Sequence, residues 1–183
     1  MDSPTVRRAR RAVAVVFAVH GCVSGTFAAR VPWIQQHLQL DAGQLGLALV
    51  MPALGGLATL PFAGAVVDRL GGRTATRMLI SAWCLALTVM ASAPNRWILM
   101  VVFAAAGAAA ATSDMAMNAE GVAVEKALDR PVMSGLHGMW SVGALAGGGA
   151  GAAAVQAGLG APAHFAVAGG LLLMVGAAAA GRL

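Results

Sequence analysis

Residues 64–77 read GAVVDRLGGRTATR, a short polar stretch between two long runs that carry no charge. The run before it, residues 45–67, is 23 residues long, and the run after it, 78–95, is 18. At the rise of an α-helix, 23 residues reach roughly 34 Å, enough to cross a hydrocarbon core of about 30 Å. A turn holding Asp68, Arg69, Arg73 and Arg77 between two such helices has to lie at a membrane face. The chain is therefore expected to be an all-α membrane protein.

Composition agrees. The chain is 59% hydrophobic and 10% charged, against about 25% charged in soluble domains. A net charge of +5 with a pI near 11 is also found in nucleic-acid binders, but here the charges fall in the gaps between apolar runs rather than along one face. Cys22 and Cys84 both sit inside apolar runs and read as small hydrophobes, not as a disulfide or metal pair. No cofactor or metal site is expected, and no nucleotide-binding loop is present.

Taken in order, residues 1–11 form a basic tail with Arg7, Arg8, Arg10 and Arg11, expected at the cytoplasmic face. The tail and the apolar run behind it imitate a secretory signal. More apolar runs follow, which favours an uncleaved first membrane helix. Residues 12–183 are expected to form one bundle of six transmembrane helices, at about 12–30, 45–67, 78–93, 97–119, 134–157 and 163–181. Asp41 and Gln44 match a capping box ahead of the second helix. The second helix carries Pro52, Gly55, Gly56 and Pro61, and Gly158, Gly160 and Pro162 mark the turn between the last two. With the first residue inside, ten basic residues fall in inside segments and only Arg30 and Arg96 outside, so both termini are expected in the cytoplasm.

The hinge pattern Gly64-x-x-x-Asp68-Arg69-x-Gly71-x-Arg73 resembles the signature of the major facilitator superfamily, which lies between that family's second and third helices on the cytoplasmic side. The resemblance implies half of that fold: six helices in two inverted three-helix repeats. It implies a multi-pass permease of the bacterial plasma membrane that moves a small solute by secondary active transport, with proton coupling as one option. A second six-helix half or a homodimer would then complete the cavity. A truncated, non-transporting six-helix protein acting as a partner or remnant is the alternative. In the signature, Gly64 would allow close helix approach, Asp68 would pair with an arginine or face a helix N-terminus, and Gly71 and Gly72 would permit a tight turn. The family's exchanger signature is incomplete, since the fifth expected helix has Gly143, Gly147 and Gly151 but no proline.

Polar residues inside apolar runs are the candidate site, because an acid at mid-bilayer costs about 2.5–3.5 kcal/mol. Asp114 and Asn118 stand one helical turn apart and share a face. His20 lies eight residues into the first apolar run and is a candidate titrating partner for Asp114. These three are the transport and coupling candidates, against the plainer role of structural polar groups bonded to neighbouring helices. Gly143, Gly147 and Gly151 recur every fourth residue and are expected to serve helix packing. Glu120 reads as a solvated or loop-pairing acid, and Glu125 with its charged neighbours as a solvated connection. Ser134 or Ser141 with His137 offers no oxyanion site, so an enzyme is not expected.

Overall fold

The computed structural model describes residues 4–183, so the first three residues of the expected tail lie outside it. The described residues form seven helices: α1 Pro4–Ala28, α2 Val31–His37, α3 Ala42–Leu70, α4 Gly72–Met90, α5 Arg96–Leu128, α6 Met133–Gln156 and α7 Ala161–Ala180.

The helix ends follow from named side chains. Asp41 Oδ1 accepts from the Gln44 N–H at 2.8 Å while Gln44 Oε1 accepts from the Asp41 N–H at 3.3 Å, closing the capping box at the start of α3. Gly71 alone joins α3 to α4, at φ +75°, a backbone conformation that side-chain-bearing residues seldom adopt. Asn95 Oδ1 accepts from the N–H groups of Trp97 and Ile98 and starts α5.

Three features differ from the sequence reading. Residues 4–11 continue α1 rather than forming a separate tail. The connection after Arg30 contains the short helix α2, with Pro32 in its first turn and Trp33 stacked on His37 at 4.5 Å. Helix α5 also runs on through Leu128, nine residues past its expected end at residue 119. Its sequence turns polar after Asp114, but Ala116, Met117, Gly121 and Val124 keep a buried stripe at helical spacing. Polarity marks where α5 leaves apolar surroundings, not where it stops.

Glu125, near that end, is not merely solvated. Its Oε2 accepts from the N–H groups of Val132 at 2.7 Å and Met133 at 3.0 Å. Val132 supplies no capping side chain of its own, so α5 caps α6.

Helix α1 is central and packs on α6, α7, α5 and α4. The most extensive pairings in the bundle are α1 with α6 and α3 with α5. Both are glycine interlocks. A Cβ on Gly21 or Gly25 of α1 would strike the carbonyl oxygens of Trp140 and Ala144, and one on Gly143 or Gly147 of α6 would strike those of Ala18 and Cys22. Gly151 faces Ala29 in the same seam. Between α3 and α5, Gly55 meets the Ala104 carbonyl and Gly107 meets that of Pro52. Backbones can approach this closely only where side chains are missing. Phe17, Phe103, Phe165, Ile80 and Leu87 fill the interior between the helices.

Segments Pro4–His37, Ala42–Leu70, Arg96–Leu128 and Ala161–Ala180 are each long and apolar enough to cross a bilayer. Large apolar side chains cover the outside, among them Leu47 at 62% exposure, Phe62 at 66% and Leu145 at 80%. Such a surface belongs in lipid or against another apolar partner. The chain is a multi-pass membrane protein.

Candidate functional site

His20 is buried in the middle of α1, between helices that each offer its ring a partner. Trp140 Nε1 on α6 lies 3.1 Å from His20 Nδ1, and Ala110 O on α5 lies 3.2 Å from His20 Nε2. An indole N–H can only donate, so Nδ1 must be the unprotonated nitrogen. Nε2 then carries the hydrogen and donates it to the Ala110 carbonyl. Both bonds hold together in one state alone, the neutral imidazole with its proton on Nε2. Trp83 on α4 closes the other side, with ring centroids 5.9 Å apart.

Asp114 stands one turn beyond Ala110 on α5, exposed and within Coulombic reach of His20. Asn118 Nδ2 donates to the Asp114 main-chain oxygen at 2.8 Å and to Oδ2 at 3.1 Å, which fixes the carboxylate. On the α6 side, His137 sets its ring edge against Phe17 at 5.4 Å, with Nδ1 3.0 Å from the Met133 carbonyl. Ser141 bonds back to the His137 carbonyl and Ser24 to that of His20, so both hydroxyls are engaged within their own helices.

Helices α5 and α6 both rest on α1 but share little surface with each other. They meet where Gly121 packs against Met133 and Leu136. His20 bonds both of these helices, α5 at Ala110 and α6 at Trp140, with Asp114 within Coulombic reach of it and Asn118 bonded to Asp114. The three residues singled out from sequence thus lie in one neighbourhood. Trp140 on α6 is the histidine's donor.

The signature loop is arranged differently from expectation. Gly64 does not mediate close packing, because a Cβ there meets nothing within 4 Å. Asp68 and Arg69 are exposed, and Asp68 has no partner among the described residues. Arg73 donates to the Leu183 main-chain oxygen. Glu120 of α5 is the acid at this loop: its carboxylate fills the space beside Gly72 at the start of α4, within Coulombic reach of Arg73.

A second polar cluster was not legible as a unit. Arg30, only 4% exposed, donates through Nε to His164 Nδ1 at 3.1 Å and through Nη2 to the Leu159 carbonyl at 2.9 Å. It ties the end of α1 to the α6–α7 turn, and in sequence it registered only as an outside charge. The available signal was one basic residue beside each of two turns at the same end of the bundle.

Comparison with known proteins fits this architecture. The family model described as Major Facilitator Superfamily matches residues 13–182. Among relatives, an uncharacterized transporter y4wD of Sinorhizobium fredii is 34% identical over 137 residues, covering 75% of this chain and 36% of the relative. An uncharacterized MFS-type transporter of Yersinia pestis is 30% identical over 145 residues, 79% of this chain and 38% of the relative. The membrane protein MosC of Rhizobium meliloti is 32% identical over 139 residues, 74% of this chain and 33% of the relative. The chain thus spans about a third of the length of the curated relatives it matches. No solved structure gives a significant match. The match over residues 13–182, with these relatives, establishes that the chain belongs to the major facilitator superfamily.

Proposed function

We propose that this chain forms a six-crossing half of a secondary transporter of the bacterial plasma membrane, moving a small solute past His20, Asp114 and Asn118. The observation that carries the reading is the polar cluster at His20, where α1 meets α5 and α6. An ionisable acid, an amide and a histidine converge there on otherwise apolar helices, and such groups are costly in a membrane unless they serve a path. The transporter names of two relatives point the same way.

The topology follows from charge and packing together. With α1, α3, α4, α5, α6 and α7 as the crossings, the bias of ten basic residues against two supports a cytoplasmic position for both ends and the 68–77 hinge. Exchanging α1 with α5, α3 with α6 and α4 with α7 turns the α1–α6 seam into the α5–α3 seam, and the α4–α5 pairing into α7–α1. This correspondence, glycine interlocks included, supports two related three-helix repeats. The exposed faces of α3 and α6 are the surfaces a second six-helix half would cover.

In this reading Asp114 is the coupling acid. One carboxylate oxygen is held by Asn118, which leaves the other of this exposed side chain to take a proton. Gaining that proton removes the negative charge facing His20, so the bonds His20 makes to α5 and α6 respond to the state of Asp114. Reconstitution in liposomes loaded with a pH-sensitive dye tests this. Solute-dependent proton uptake is expected, with Asp114→Asn abolishing proton movement but sparing solute exchange. Unchanged proton uptake in Asp114→Asn would remove the coupling role. Absence of flux, alone or with a second half, would favour the non-transporting partner.

A further inference from the structure

We propose that the groove between the start of α1 and the end of α7 is a binding site for the headgroup of an anionic phospholipid. This site depends only on the chain lying in a bilayer, not on which solute is moved. The groove has a volume of about 1020 Å³ and is lined by Arg7, Arg8 and Arg11 of α1 and Arg182 after α7. Among the described residues no acidic side chain lines it.

Two independent features ask for an anion here. The first is electrostatic. Helix α1 opens with no acid in its first turn and gathers Arg7, Arg8, Arg10 and Arg11 within its first two turns. Cations at the positive end of a helix dipole oppose it, and an anion bridging them reverses the sign of that interaction. The second is the shape of the site. Its lining changes from arginine to Val15 and Val175, which are 37% and 49% exposed, and Leu171 continues the apolar surface one turn further at 55%.

A free phosphate would use the arginines and leave this ramp empty. A phospholipid uses both, its phosphate between Arg8, Arg11 and Arg182 and an acyl chain along Val15, Val175 and Leu171. Basic pockets between helices at the cytoplasmic face suit such headgroups.

The test is lipid binding by the purified chain in detergent, followed by native mass spectrometry, with phosphatidylglycerol and phosphatidylcholine as probes. Phosphatidylglycerol is expected to stay bound where phosphatidylcholine dissociates. At about fivefold in affinity per basic residue on the membrane-surface scale, the triple variant Arg8→Gln, Arg11→Gln, Arg182→Gln should weaken phosphatidylglycerol about a hundredfold. The corresponding triple Lys variant should stay within about tenfold of the parent. Equal retention of the two lipids by the parent would overturn the proposal. So would an undiminished Gln variant, or displacement of phosphatidylglycerol by an equal concentration of inorganic phosphate. Should the Gln variant fail to fold, the comparison of lipids on the parent and on the Lys variant decides.

Discussion

The indole N–H of Trp140 points at Nδ1 of His20 across 3.1 Å, and with the Ala110 carbonyl at Nε2 it fixes which nitrogen of a membrane-buried histidine carries the proton. It also ties α1 to α6 at the level where α1 meets Ala110 of α5, so the protonation state of one ring is read by three helices.

Replacing Trp140 by Phe keeps most of the packing and removes the donor. The Ala110 carbonyl still requires the hydrogen on Nε2, so His20 should keep its tautomer while the Nδ1 resonance shifts on losing its donor, seen in selectively labelled protein. The loss of one buried bond should cost about 1 kcal/mol in unfolding experiments. An unchanged Nδ1 resonance would mean that Trp140 does not donate to His20.

The glycines of α6 and the glycine of the signature should respond in opposite ways to the same methyl group. Gly147→Ala drives a Cβ into the Cys22 carbonyl and should destabilise the bundle by about 1–3 kcal/mol. Gly64→Ala meets open space within a helix and should be neutral or stabilising by up to about 1 kcal/mol. Thermal unfolding in detergent measures both. Equal effects would contradict the interlock.

Glu125→Ala leaves the Val132 and Met133 N–H groups without their acceptor. The first turn of α6 should fray, visible as faster amide exchange there and a lower unfolding midpoint. Glu125→Asp, one methylene shorter, should recover part of the loss. If exchange at the α6 start did not change, the cap would be incidental.

The hinge should face the cytosol. In a background with Cys22→Ala and Cys84→Ala, a single Arg73→Cys should react with a membrane-impermeant maleimide only after the cells are permeabilised. Labelling in intact cells would invert the topology.

Much of this architecture is legible in the sequence, because the bilayer makes charge placement and apolar length speak for structure. The hinge at Gly71, the cap at Asp41 and Gln44 and the turn at Gly158 each rest on local chemistry that three or four residues define. The proximity of His20 and Asp114 was anticipated only because ionisable groups are scarce in such helices. What escaped were relationships across helices. The partners of Arg30, the reach of Glu125 to the next helix and the role of Trp140 all join residues far apart in the chain. Gly64 shows the opposite failure: a motif position given a packing role by its residue type stands in open space, while Gly21 and Gly25, outside any motif, make the contact.

The central claim is that the cluster of His20, Asp114 and Asn118 borders an aqueous path rather than lipid. Cysteine reactivity in membranes measures this directly. In the same cysteine-free background, Asp114→Cys is compared with Val101→Cys, an apolar position of the same helix that is 66% exposed. The account predicts that a charged, water-borne thiosulfonate modifies the cysteine at 114 and leaves the one at 101 untouched. Equal inertness of the two positions would contradict it.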